Sequence, residues 1–276
     1  MSQTQIGRAF AVVELLSAQN AGLPLQEIAD TLGIPKSATH RLLAELAELG
    51  YVRQDAASLR YYLSARLVTL AFTLLAATGV VDTAQPILDR LAAHTGELVR
   101  LGVSDGDRLV WVAKSQGARS GLRYDPDMGR EAPLSSTSSG HAWLSCLSDE
   151  DALALVSRQG FQRGDDLGPN APRTVDALLD KLREARRLGY SIAHDASQLG
   201  LAAVSVPVRH PNSGAVLGTL SVAGPSSRLE VERMHRIAPE VITAAKEIGL
   251  ASLTSNYFQQ LDARLPPAPV PTLLRA

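Results

Sequence analysis

The stretch from residue 24 to residue 63, PLQEIADTLGIPKSATHRLLAELAELGYVRQDAASLRYYL, holds two short helical patterns followed by two β-prone runs. Pro24 suits the first turn of a helix, and Leu25, Ile28, Ala29 and Leu32 follow at helical spacing. Gly33 and Ile34 make a tight turn. Pro35 then starts a second helix with Ala38, Leu42, Leu46 and Leu49 on one face, stopped by Gly50. Two short helices joined by so brief a turn spell a helix-turn-helix. Upstream, residues 6–18 place Ile6, Phe10, Val13, Leu15 and Leu16 at positions that predict one buried helical face, ended by Asn20-Ala21-Gly22. Downstream, residues 51–54 and 60–63 are β-prone and flank residues 55–59, which predicts a wing.

In a winged helix-turn-helix the last helix of the motif enters the major groove, so its outer stripe must be polar, able to donate hydrogen bonds and free of acids. Lys36, Ser37, His40 and Arg41 supply that stripe, with Thr39 beside them, while Glu45 and Glu48 come where the helix leaves the groove. Arg53, Arg60, Tyr61 and Arg66 are placed to hold phosphates from the wing and its flank. Any amphipathic helix has a polar face, but here the turn spacing and the wing accompany it.

The whole chain of 276 residues carries 27 Lys+Arg against 28 Asp+Glu, a net charge of -1, which excludes a globally basic nucleic-acid coat. Residues 35–66 nevertheless hold five bases and three acids, so the positive charge gathers where the motif needs it. It is modest, and two or more copies on a repeated site are the natural remedy. Aromatic residues are only 4%, too few for a wide base-stacking platform. Cys146 is the sole cysteine, which rules out an internal disulfide and a cysteine zinc cage and favours a reducing compartment. Residues 1–7 lack the pattern of a signal peptide, and the apolar run 67–81 is too short to span a bilayer, so the expected location is the cytoplasm with no membrane partner.

Residues 65–79 predict a linker helix, apolar nearly all round through Leu67, Val68, Leu70, Ala71, Phe72, Leu74 and Leu75 and suited to packing on another subunit. Residues 22–70 as a whole resemble the DNA-binding module and linker of the IclR family of bacterial transcriptional regulators. The resemblance lies in PKSATHRLL, the GYV that leads into the wing and the RYYLS that leaves it. Two positions depart from it: Ala38 stands where the family usually has a hydroxyl residue, and Leu59 where it has a wing-tip glycine.

Residues 80–254 predict a second domain. Helical patterns cover 83–95, 139–146, 149–157, 174–188 and 230–252, and β runs cover 97–103, 108–114, 201–208 and 215–223. Hairpin turns at 104–107 and 210–214 join the strands in pairs, giving an α+β chain whose C-terminal part is an α/β domain with a mainly antiparallel sheet. Residues 255–276 form a tail that is proline-rich and predicted disordered at its end. Hydroxyls of residues 135–139 meet Gly140 at a helix start, a place suited to a carboxylate, and His194 and Asp195 follow the long helix. There is no GxSxG, GxxxxGK[ST], HExxH or GxGxxG in a fitting context, and the six histidines lack ligand spacing. Neither an enzyme, a metal nor a cofactor is expected.

The segments LGYSIAHDASQLGLAAVSVPV and LGTLSVAGPSSRL resemble the signature strands of the IclR effector-binding domain, a GAF/profilin-like sensor. The resemblance implies a pocket for a small organic acid with contacts at Ser138, Ser139, Gly140, His194, Asp195, Ala203, Ser221 and Ala223. Ala203, Ala193 and Ala223 replace polar residues of some members, which implies a bulkier, partly apolar acid, an aromatic one included. The function implied is a ligand-responsive regulator reading a palindromic operator as a homodimer or homotetramer. Repression of a catabolic operon is preferred to activation. The alternative is an enzyme acting on a small acid with an attached autoregulatory DNA module.

Overall fold

The computed structural model describes residues 4–78, 80–126, 128–162 and 167–254. The chain divides into two compact units after Leu75, and the tail expected to be disordered lies outside the described residues.

The first unit runs α1 Gln5–Ser17, β1 Leu23–Pro24, α2 Leu25–Leu32, α3 Lys36–Glu48, β2 Val52–Gln54, β3 Arg60–Leu63 and α4 Arg66–Thr78, the last crossing the division between units. Gly33, left-handed at φ 62°, caps α2 and turns the chain toward α3. One core joins Val12 and Leu16 of α1, Ile28 of α2, Leu43 and Leu46 of α3, Val52 of β2 and Tyr61 of β3. Two expectations for this core are corrected. On α1, Ile6 and Phe10 are exposed at 71% and 63%, so the buried face is Val12 and Leu16. On α3, Leu49 is exposed and Leu43 takes its place inside. The wing carries a strand that the sequence reading missed. Residues Leu23–Pro24 pair antiparallel with β3, which becomes the middle strand of three. At the wing tip Leu59 is left-handed at φ 57°, where a side chain costs strain and a glycine would not.

The second unit holds α5 Val80–Thr95, β4 Leu98–Asp105, β5 Arg108–Gln116, α6 Ser138–Leu144, α7 Asp149–Gln159, α8 Val175–Leu188, β6 Ser191–His194, β7 Leu201–Arg209, β8 Val216–Pro225 and α9 Val231–Ala251. Its sheet is antiparallel in the order β5-β4-β8-β7-β6. Strand β6 was not foreseen: it is four residues long and closes one edge. Alternation sends Val99, Leu101, Val204, Val206 and Val222 into a core with α5 and α9. The other face packs on α6, α7 and α8 through Trp143, Leu155, Leu178 and Leu182. Along the outer edge of β5 the backbone of residues 129–132 bonds to Leu109 and Trp111, so that edge is covered. A buried carboxylate, Glu97, fixes the end of the sheet by accepting from Arg228 Nη2 at 2.8 Å and Arg233 Nη1 at 3.3 Å.

Candidate functional site

The first candidate surface is α3. Its inner face is Thr39, Leu42, Leu43 and Leu46, which leaves Lys36, Ser37, His40 and Arg41 exposed together on the outer face. Two residues expected at this surface are placed in the interior. Thr39 is 0% exposed with its hydroxyl donating to Pro35 O at 3.2 Å, because a threonine mid-helix bonds back to the preceding turn. Tyr61 is 6% exposed because β3 is central and its side chain fills the core. On the wing, Arg53 is exposed with its guanidinium 5.1 Å from the Tyr62 ring. Arg60 Nη1 donates to Gly22 O at 2.7 Å, tying β3 to the turn before α2, so its first task is structural.

The second candidate is a cavity of about 320 Å³ between the sheet and α6. Register builds its floor. Pairing sets Arg100, Ser221, Ser205 and Ser191 in one row across β4, β8, β7 and β6, and Leu98, Ala223, Ala203 and Ala193 in the next, all on the α6 side. The three alanines line the cavity as a low, flat patch. Ser138 and Ser139 form a wall where α6 begins, both linked to the Ser205 hydroxyl at 2.7 and 3.3 Å. At the β5 end Arg100, only 4% exposed, lies with its guanidinium 3.8 Å from the Trp111 ring centroid and 5.4 Å from that of Tyr124. Burial pushes the guanidinium below its ordinary pKa, with Tyr124 acting the other way. Arg100 Nε and Nη1 and Trp111 Nε1 are buried without a hydrogen-bond partner among the described residues.

The structure therefore brings Ser138, Ser139, Ala203 and Ala223 together around this cavity, and not Gly140, His194, Asp195 or Ser221. Gly140 is needed for close packing: a Cβ there would meet Leu134 O at 2.4 Å, and its N–H is taken by the Thr137 hydroxyl. Ser221 lies in the floor row, 1% exposed, and donates to Arg100 O. Asp195, left-handed at φ 49°, accepts from Gly200 N at 2.6 Å and shapes the turn from β6 to β7. His194 is 3.3 Å from Asp195 and lines a separate cavity with His141 and Lys181. Arg100, Trp111 and Tyr124 were missed. An arginine between Val99 and Leu101 in an otherwise apolar strand was the one signal that could have pointed to them.

His141 makes a pH prediction. It is 1% exposed, its Nε2 donates to Ser135 O at 3.0 Å, and burial pushes its pKa from 6.5 to about 4, the Ser135 bond opposing and Lys181 adding to the shift. Between those values the unfolded chain binds the proton that the folded chain refuses, so stability is intact above pH 6.5 and falls as the pH drops toward 4. The loss by the lower end is about 3 kcal/mol. Urea midpoints across that range check it, and His141→Gln should flatten the slope.

Among the described residues no group of three or more His, Cys, Asp or Glu could hold a metal ion, and no helix is long and apolar enough to cross a membrane. Residues 5–56 match the model of the IclR helix-turn-helix domain, and residues 72–250 that of the bacterial transcriptional regulator IclR C-terminal domain. The chain is 29% identical over 245 residues to the acetate operon repressor of Salmonella typhimurium, covering 88% of each. It is similar to the crystal structure of an IclR transcriptional regulator from Alicyclobacillus acidocaldarius, with a TM-score of 0.77, 26% identity, and 91% and 100% of the two chains covered. It also shares the fold of an IclR homologue from Microbacterium hydrocarbonoxydans complexed with 4-hydroxybenzoate, with a TM-score of 0.73, 22% identity, and 91% and 100% covered.

Proposed function

We propose, from the premise that this chain belongs to the IclR family of bacterial transcriptional regulators, that it represses a catabolic operon until a small organic acid occupies the cavity beneath α6. Its curated relatives are regulators and not enzymes, and the chain is a DNA-binding transcriptional regulator with an effector-binding domain. The observation that carries the operator reading is the outer face of α3: Lys36, Ser37, His40 and Arg41 offer donors free of acids over the first two turns, backed by the Leu42, Leu43 and Leu46 core. Arg53 on the wing supplies a phosphate contact.

Self-association completes the proposal. Val68, Leu70, Phe72 and Leu74, on two sides of α4, are 49% to 66% exposed, and apolar surface of this kind marks a place of association. A homodimer, or a pair of dimers, covers it and presents two copies of α3 to a palindromic operator. The chain then acts in the cytoplasm, where its operator is.

The test is a mobility-shift titration on the DNA upstream of the chain's own gene, with scrambled competitor and with a panel of carboxylic acids. A shifted band that survives the competitor and moves with one acid is expected. Binding that the competitor abolishes at every acid concentration would remove the reading.

A further inference from the structure

Two expectations conflict at the cavity. The helix start at Ser138 was expected to receive the acid's carboxylate, yet α6 is only seven residues long and its Gly140 N–H is already taken by Thr137. At the other end stands Arg100, whose unpaired Nε and Nη1 lie on different edges of the guanidinium fork. Arginine stays charged inside proteins, Tyr124 supports this charge from one side, and leaving the remaining buried donors unpaired is costly. Trp111 and Tyr124 lie against its guanidinium, and all three residues line the cavity. Arg108 takes Glu131, the acid on the cavity wall, at 2.9 Å, so that carboxylate is engaged elsewhere.

We propose that Arg100 is the carboxylate anchor of the effector, and that the effector is a flat, ring-sized acid lying over Ala223 and Ala203 with a hydrogen-bonding group reaching Ser138 and Ser139. This rests on the reading of the cavity as the effector site. The geometry sets the length: Arg100 and the Ser205 beneath the two serines are two strands apart in one row, roughly 10 Å at the usual strand spacing. A two- or three-carbon keto acid anchored at Arg100 leaves the serines unreached. The alanine floor gives such an acid no polar partner in between, whereas a ring lies flat on it and keeps its edge toward Trp111 and Tyr124.

Calorimetry on the full-length protein with 4-hydroxybenzoate, 4-hydroxybenzamide and pyruvate tests this. The wild type is expected to bind the benzoate at least about 10-fold more tightly than the amide or pyruvate. Arg100→Gln should weaken the benzoate at least about 30-fold and the amide less than about threefold, while Arg100→Lys retains part of the affinity. A cooperative urea transition followed by tryptophan fluorescence, which reports the second unit, serves as the control for folding of the variants, and the acid-to-amide ratio needs no variant. Equal binding of acid and amide by the wild type, or undiminished benzoate binding by Arg100→Gln, would overturn the anchor while leaving the effector site in place. If none of the three compounds binds a wild type that still holds its operator, the reading of the cavity fails, and the anchor fails with it.

Discussion

Arg41→Ala is expected to weaken operator binding at least about 30-fold while leaving the fold intact. Arg41 is exposed on the outer face of α3, one turn after Lys36 and Ser37, on a helix whose inner face is anchored by Leu42, Leu43 and Leu46. A specific arginine contact to a base edge is worth about 1 to 3 kcal/mol. A dimer on a palindrome makes it twice, so about 2 kcal/mol is the lower bound of the loss, which is the stated factor. Exposed substitutions away from caps and ion pairs shift stability by about 0.5 kcal/mol or less. Fluorescence anisotropy with labelled operator, beside a thermal melt, separates the two quantities. Unchanged affinity would take α3 out of the groove. Thr39→Ala should act in reverse, through stability, because its hydroxyl is spent inside the helix.

Glu97→Ala is expected to destabilise the second unit by about 3 kcal/mol. Glu97 is 2% exposed and its carboxylate accepts from Arg228 Nε at 3.0 Å and Nη2 at 2.8 Å and from Arg233 Nη1 at 3.3 Å. Removing it leaves two half-covered guanidinium groups facing each other across a gap, and loss of one partner is the costly way to break such a cluster. The contact is close enough that Gly224 opposite must lack a side chain, since a Cβ there would meet Glu97 Oε2 at 2.3 Å. Both tryptophans, Trp111 and Trp143, lie in the second unit, so fluorescence during urea unfolding reports that unit alone. A second consequence reaches the cavity. Arg228 Nη1 donates to Leu122 O at 2.7 Å, in the segment that brings Tyr124 beside Arg100, so the variant should also bind effector more weakly. Stability equal to wild type would show that the cluster does not hold the sheet end.

The helix-turn-helix was legible because its information is local. Helical spacing over residues 24–49, prolines before helices and a left-handed Gly33 are all properties of consecutive residues. The two short strands were not. Leu23–Pro24 has no period to display over two residues, and Ser191–His194 mixes polar and apolar residues because it lies at a sheet edge. Periodicity also says that a face is apolar without saying what covers it, which is why Ile6 and Phe10 were placed inside α1's core face although Val12 and Leu16 occupy it. Of the residues that the resemblance implied, Ser138, Ser139, Ala203 and Ala223 line the cavity. The resemblance carried Gly140 and Asp195 along with them, although packing and turn geometry explain those two. Arg100 was beyond reach for a further reason. Its setting arises only when β4 pairs with β8 on one side and β5 on the other, and when the loop bearing Tyr124 folds back over it.

The central claim is that an acid in the cavity and an operator on α3 are coupled. Linkage makes it measurable in one design: the affinity of the full-length protein for its operator without and with saturating 4-hydroxybenzoate, and its affinity for the acid without and with saturating operator. Coupling in such proteins is worth about 1 to 3 kcal/mol, a factor of about five or more, and must be the same in both directions. The account predicts a decrease of at least about fivefold in each affinity. Acid binding that leaves operator affinity unchanged would contradict it.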